Sequence, residues 1–190
     1  MIHDNAGAGA VRHVADMNIL VVYATTEGQT RRIARFCADH LHGAGHTVEL
    51  LPAAEGAEMD LARFDAAVLL ASVHAGRYQP EIGTFASTHA EGLNGLRTLF
   101  LPVSLAAAGD DADELADLDR IATDFAAGTG WTPGRVEQVA GAFRFTQYDF
   151  FKSWAMRWIA ARKGEDVTPN EDREYTDWSA LHALLADWAG

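Results

Sequence analysis

Apolar positions along the chain change their period several times, and each change marks an element. Short apolar, β-branched runs at Asn18 to Tyr23, Thr47 to Leu51, Ala66 to Ala71, Thr98 to Val103 and Val136 to Ala140 predict five strands. Between the first two, Ile33, Phe36, Cys37 and Leu41 recur at helical spacing, and Gly43 with Gly45 supplies the stop. Pro80 opens a further helix that carries Ile82, Phe85 and Ala86 inward. Leu115, Leu118, Ile121, Ala122 and Phe125 share one face of another over 111–127. Only a short helix is expected near Met59 to Phe64. Trp178, Leu181, Leu184, Leu185 and Trp188 are spaced to bury one face of a last helix, capped by Thr176 or Asp177. Strands that alternate with helices predict an α/β fold, a doubly wound five-stranded parallel sheet with helices on both faces.

Two stretches stand outside the alternation. Residues 1–16, rich in Gly and Ala, show neither period and are expected to be a flexible leader to a single domain over 17–190. The second stretch, 143–174, is an insertion between the fifth strand and the last helix. Its first part, 143–163, concentrates aromatic and cationic residues. If helical, it sets Phe150, Phe151, Trp154, Trp158 and Ile159 on one face, with Lys152, Arg157, Arg162 and Lys163 toward the edges. Tyr148 lies in the same run. Such a face can receive a flat apolar ligand, lie on a membrane, or pack on the domain or on a second copy of the chain in a homo-oligomer. Arg144, Lys152 and Arg157 can pair with ligand carboxylates.

Composition narrows the partners. A chain of 190 residues with 48% hydrophobic content can bury one core without disulfides. Cys37 is the single cysteine, which removes any disulfide or CxxC pair within the chain and suits a reducing, cytoplasmic setting. The formal charge of −12 argues against nucleic acid as a partner, because that binding draws on Lys and Arg neutralising phosphates. No run approaches the ~20 apolar residues that cross a bilayer, so membrane contact through 143–163 is expected to be peripheral, at the inner face of the cell membrane. The eight histidines are dispersed, and no metal site is expected.

The candidate chemistry begins where the first strand ends. Thr25, Thr26, Glu27, Gly28, Gln29 and Thr30 close a strand and open a helix. Free backbone N–H groups, the helix dipole and threonine hydroxyls converge there on an anion. Gly28 allows a close turn. Gln29 follows it where a triphosphate loop would carry lysine, so a monophosphate ester fits better. The plain alternative is that Thr25 or Thr26 only caps the helix. In an open doubly wound sheet the ligand lies at the carboxyl ends of the strands, so the loops after strands three and four complete the site. The first offers Ser72, Val73, His74, Ala75, Gly76 and Tyr78, with Tyr78 expected to pack on a flat ring system. The second offers Ser104, Leu105, Ala106 and Gly109, whose small side chains let backbone approach the ligand.

This loop resembles the phosphate loop of the flavodoxin family, Thr/Ser-x-Thr-Gly-x-Thr, matching at Thr25, Gly28 and Thr30 and departing at Glu27. The resemblance implies a strand order of 2-1-3-4-5 and FMN as cofactor. From about Met17 to the end, the chain is also similar to the flavodoxin-type, menaquinone-dependent protoporphyrinogen oxidases. The similar pieces, in order, are Ala71-Ser72 with Gly76-Arg77-Tyr78, then Trp131-Thr132-Pro133, then Ala140-Gly141-Ala142 with Arg144, and Glu174-Tyr175-Thr176-Asp177-Trp178. That family carries an insertion after the fifth strand, whereas an electron-shuttling flavodoxin reaches its last helix sooner. The resemblance implies oxidation of a porphyrinogen substrate with a quinone as electron acceptor. Two other readings stand beside it: a flavodoxin-type electron carrier or NAD(P)H:quinone reductase-like protein, and a non-enzymatic binding module on the same sheet.

Overall fold

The computed structural model describes residues 16–26, 28–143 and 173–190. The expected leader, 1–16, and the expected aromatic and basic helix, 143–163, lie almost entirely outside these residues.

Four long parallel strands form the centre. They are β1 (Asn18–Ala24), β2 (Thr47–Pro52), β3 (Ala66–Ser72) and β4 (Arg97–Ser104). The order is β2-β1-β3-β4, with the fifth position beside β4. It reproduces the 2-1-3-4-5 arrangement. Because helices cover both faces, these strands are apolar on both sides rather than alternating. Ile19, Val21, Val68, Leu70, Leu99 and Leu101 face one layer, with α1 (Gln29–Gly43) and α5 (Trp178–Ala189). Leu20, Val22, Ala67, Leu69 and Phe100 face the other, with α2 (Pro80–Thr88), α3 (Ala90–Gly95) and α4 (Ala112–Thr129).

The helices start and stop for local reasons. Asp111 caps α4, its Oδ1 accepting from the N–H groups of Asp113 (2.9 Å) and Glu114 (3.1 Å). Asp177 rather than Thr176 caps α5, accepting from Ala180 N–H at 2.9 Å. Pro80 occupies the first turn of α2, where its missing N–H costs nothing. The helix expected near Met59 to Phe64 is only a 3-10 turn at Leu61–Arg63, because Phe64 is already extended and feeds β3.

The fifth position departs from the expected single strand. It is split into β5 (Arg135–Val136) and β6 (Val139–Ala140), both parallel to β4 and in one register. The cause lies across the ladder. Phe100 and Ser104 each accept a bond from this side through their carbonyls, from Glu137 N–H (3.0 Å) and Gly141 N–H (2.9 Å). Pro102 stands between them and therefore faces the same way, and it has no N–H to donate. Pairing lapses opposite it, at Glu137 and Gln138. Beyond β6 the chain forms β7 (Ala142–Phe143), which pairs antiparallel with β8 (Arg173–Glu174). The sequence reading did not anticipate this pair.

Candidate functional site

The strand order reverses between β1 and β3, and the loops leaving their carboxyl ends face a common crevice. After β1 the chain reaches Gly28 in the left-handed conformation (φ +90°), with nothing within 4 Å of where a side chain would begin. Thr25 Oγ1 accepts from Gly28 N–H at 3.0 Å, which closes the loop on itself. Helix α1 then starts with no acidic residue in its first turn, leaving the positive end of its dipole uncompensated by its own side chains. Thr26 is exposed, while Gln29 and Thr30 are buried. Glu27, the departure from the expected loop pattern, lies outside the described residues.

The loop after β3 is a tight reversal. Val73 N–H is committed to Val103 O (2.8 Å), prolonging the β3–β4 ladder by one residue. His74 and Arg77 then exchange both backbone bonds, at 2.8 and 3.1 Å, around Ala75 and Gly76. Both central residues have positive φ, +48° and +76°. This is the geometry of a primed two-residue turn, which holds the tip of the loop exposed beside the crevice. After β4, Ser104 Oγ accepts from Ala107 N–H (3.1 Å) at a short 3-10 turn over Ala106–Ala108, flanked by Leu105 and Gly109.

Tyr78, expected to pack on a flat ring system, lies where α4 meets the sheet. Its ring stands edge-on to Phe100 (5.2 Å) and Phe125 (4.9 Å), within the contact between α4 and the sheet. Burial pushes its phenol pKa up, and the charge of Asp119 adds to the shift. Sequence reasoning missed Gln79 altogether. Its Nε2 donates to Ser72 Oγ, at the end of β3, and to Thr26 Oγ1 (3.3 Å), in the loop after β1. It therefore bridges the two sides of the crevice. Its Oε1 is buried with no partner among the described residues. The residue sits directly before Pro80, where the only visible signal was a helix start.

Arg144, Tyr148, Lys152, Trp154 and Arg157 lie outside the described residues. Cys37 is fully buried in α1, and burial pushes its thiol up to about 12, which leaves it inert. Among the described residues there is no cluster of three or more metal-ligating side chains, and no helix is long and apolar enough to cross a membrane.

A family profile described as a flavodoxin domain matches residues 20–169. The chain belongs to the flavodoxin-domain family. The solved flavodoxin 2 of Bacillus cereus superposes with a TM-score of 0.56 at 17% identity, over 90% of this chain and 97% of that one, which concerns the fold alone. Two curated relatives are similar along most of their length. Protoporphyrinogen IX dehydrogenase [quinone] of Escherichia coli K12 is 27% identical over 165 residues, 87% of this chain and 91% of that protein. The protein of the same name from Leishmania major is 26% identical over 174 residues, 90% of this chain and 74% of that one.

Membership implies FMN as the cofactor of this flavodoxin domain, and it marks the protein as an oxidoreductase or electron-transfer protein. The residues present fit that group. Gly28 leaves open space at the helix start, the first turn of α1 carries no competing carboxylate of its own, and Gln79 brings an unpartnered buried polar atom to the crevice.

Proposed function

We propose that this flavodoxin domain oxidises protoporphyrinogen IX to protoporphyrin IX and passes the electrons to a quinone. The observation that carries the reading is the similarity to relatives of that name, 27% identical over 91% of one and 26% identical over 74% of the other. The antiparallel pairing of β7 with β8 supports it. The chain departs from β7 at Phe143 and returns in β8 at Arg173, between the fifth sheet position and α5, where the insertion was expected.

In this reading Thr25, Thr26, Gly28 and Thr30 hold the FMN phosphate at the start of α1. The turn at His74 to Arg77 and the small residues from Ser104 to Gly109 border its ring. Bound FMN supplies the redox chemistry. The protein supplies position: the rigid ends of β1, β3 and β4 fix the three loops relative to one another, and Gln79 ties two of them together. Arg144, Lys152 and Arg157 pair with porphyrinogen carboxylates, Tyr148 and Trp154 offer apolar surface, and 143–163 gives peripheral access to a membrane quinone.

The first test is the visible spectrum of the purified protein, with mass identification of the molecule released on denaturation. A yellow protein releasing FMN leads to an assay of protoporphyrinogen oxidation with a quinone. Turnover supports the proposal. A second reading rests on the exposed acidic rim beside the β4 loop, formed by Asp110, Asp111 and Asp113, which suits a basic redox partner. Reduction by NAD(P)H or a reductase, with no porphyrinogen turnover, would favour that carrier. A colourless protein that cannot take up FMN would leave only the binding module.

A further inference from the structure

The side chain of Gln29 enters a junction of three separate pieces of chain. It is 6% exposed, at the first position of α1. Its Nε2 donates to Glu174 Oε1 (2.8 Å) and to Thr176 Oγ1 (3.0 Å), using both amide hydrogens. Thr176, 8% exposed, donates its own proton to Ala140 O at 2.7 Å, at the end of the fifth sheet position. Tyr175 N–H donates to Gly141 O at 3.0 Å alongside. Glu174 also accepts from Arg32 Nη1, at 2.9 and 2.8 Å through its two oxygens, and Arg32 lies over the Trp178 ring at 5.2 Å.

We infer that Glu174 and Thr176 are positioning residues for the phosphate loop, acting through Gln29. The inference rests on the FMN reading of that loop. A helix start grips an anion only as well as its first-turn N–H groups are aimed. The bond from Gly28 N–H to Thr25 Oγ1 closes the loop on itself, but Gly28 supplies no side-chain cap to the helix start. The Gln29 side chain, with both hydrogens engaged, supplies what the glycine lacks. Its anchors come from the stretch where the chain returns after Phe143, which makes the hold on phosphate depend on that return being seated against α1. Arg32 neutralises Glu174, a carboxylate that would otherwise compete with phosphate for the same helix dipole.

The test compares FMN with riboflavin, which has the same ring system and no phosphate. Dissociation constants for both are measured by flavin fluorescence on the full chain stripped of flavin, for wild type, Thr176→Val, Glu174→Ala and Glu174→Gln. Thermal unfolding of each flavin-free protein establishes that it folds. Thr176→Val and Glu174→Ala should each weaken FMN about five- to tenfold, the worth of one hydrogen bond, and leave riboflavin unchanged. Glu174→Gln keeps an acceptor for Gln29 without the charge, and should restore FMN binding to within about twofold. Equal weakening of both ligands would overturn the inference, as would unchanged FMN binding with a lowered melting temperature. The last result would mean that the junction only holds α5. A wild type that binds FMN no more tightly than riboflavin would instead refute the phosphate-loop reading itself.

Discussion

The turn beside the crevice offers two adjacent substitutions with opposite expected signs. Ala75 and Gly76 both have positive φ, yet only one is glycine. An L side chain in the left-handed region costs about 1–2 kcal/mol, and Ala75 bears that cost in the wild type. At Gly76 nothing lies within 4 Å of an added Cβ, so Gly76→Ala would add backbone strain and no collision. It should destabilise by about 1–2 kcal/mol, lowering the melting temperature by roughly 3–6 °C in a chain of this length. Asparagine tolerates the left-handed region better than alanine, so Ala75→Asn should stabilise by about 0.5–1 kcal/mol. Ala75→Gly relieves the same strain, but returns about 0.4–1 kcal/mol to the freedom of the unfolded chain, and should gain less. Urea unfolding of the flavin-free proteins decides the matter, since a shift in midpoint at constant slope reports stability alone. A loss of stability in Ala75→Asn, or a neutral Gly76→Ala, would refute a left-handed pair at this turn.

Two further perturbations test the packing behind the site. A Cβ at Gly56 would lie 2.6 Å from Phe85 Cε2 and 2.7 Å from Cδ2, and that ring is buried, so Gly56→Ala should cost about 2–3 kcal/mol. Adding Phe85→Leu should recover part of the loss, and a double-mutant cycle without coupling would contradict this contact. On the α1–α5 face, His40 meets His182 at a ring separation of 4.3 Å, and its pKa is held below the ordinary 6.5 by burial first and by His182 second. A lowered histidine pKa means that the folded state prefers the neutral ring. Its contribution to stability is complete above the ordinary value and is lost as pH falls below it. Melting temperature should therefore drop as pH falls below the ordinary 6.5, and drop less in His182→Gln and in His40→Gln. Equal acid sensitivity in all three proteins would assign the loss to other groups.

Much of the fold was legible because each central strand is an apolar run with few interruptions. β1, β3 and β4 need apolar residues on both faces, and a sequence such as Ala66 to Ala71 satisfies little else. Asp177 was visible as one of two candidate caps because its effect is local, spanning three residues. What escaped depends on partners remote in sequence. Pro102 was plain to read, but its consequence falls on Glu137 and Gln138 in the neighbouring strand. Gln29 was recognised as a loop residue, while the use of its side chain depends on Glu174 and Thr176, 145 and 147 residues further on. Gln79 was hidden by Pro80, and its bridge from Thr26 to Ser72 exists only once β1 and β3 are paired. Tyr78 was read from its loop position, where a free aromatic suggests stacking. Its edge-on contacts with Phe100 and Phe125 form only once α4 folds down.

The divided fifth position also bears on how this chain avoids its own kind. A parallel sheet that is open on both sides offers two rows of backbone groups to any passing strand, and long regular edges recruit copies of themselves. Here one margin is reduced to two-residue fragments flanked by Arg135 and Glu137, which are paired with each other at 2.8 Å. The opposite margin, β2, carries Glu49 in an ion pair with Arg63 and ends on Pro52. Among the described residues, neither presents a long, uncharged template. The proline that interrupts the ladder inside the sheet thus also shortens the regular edge that β5 and β6 present.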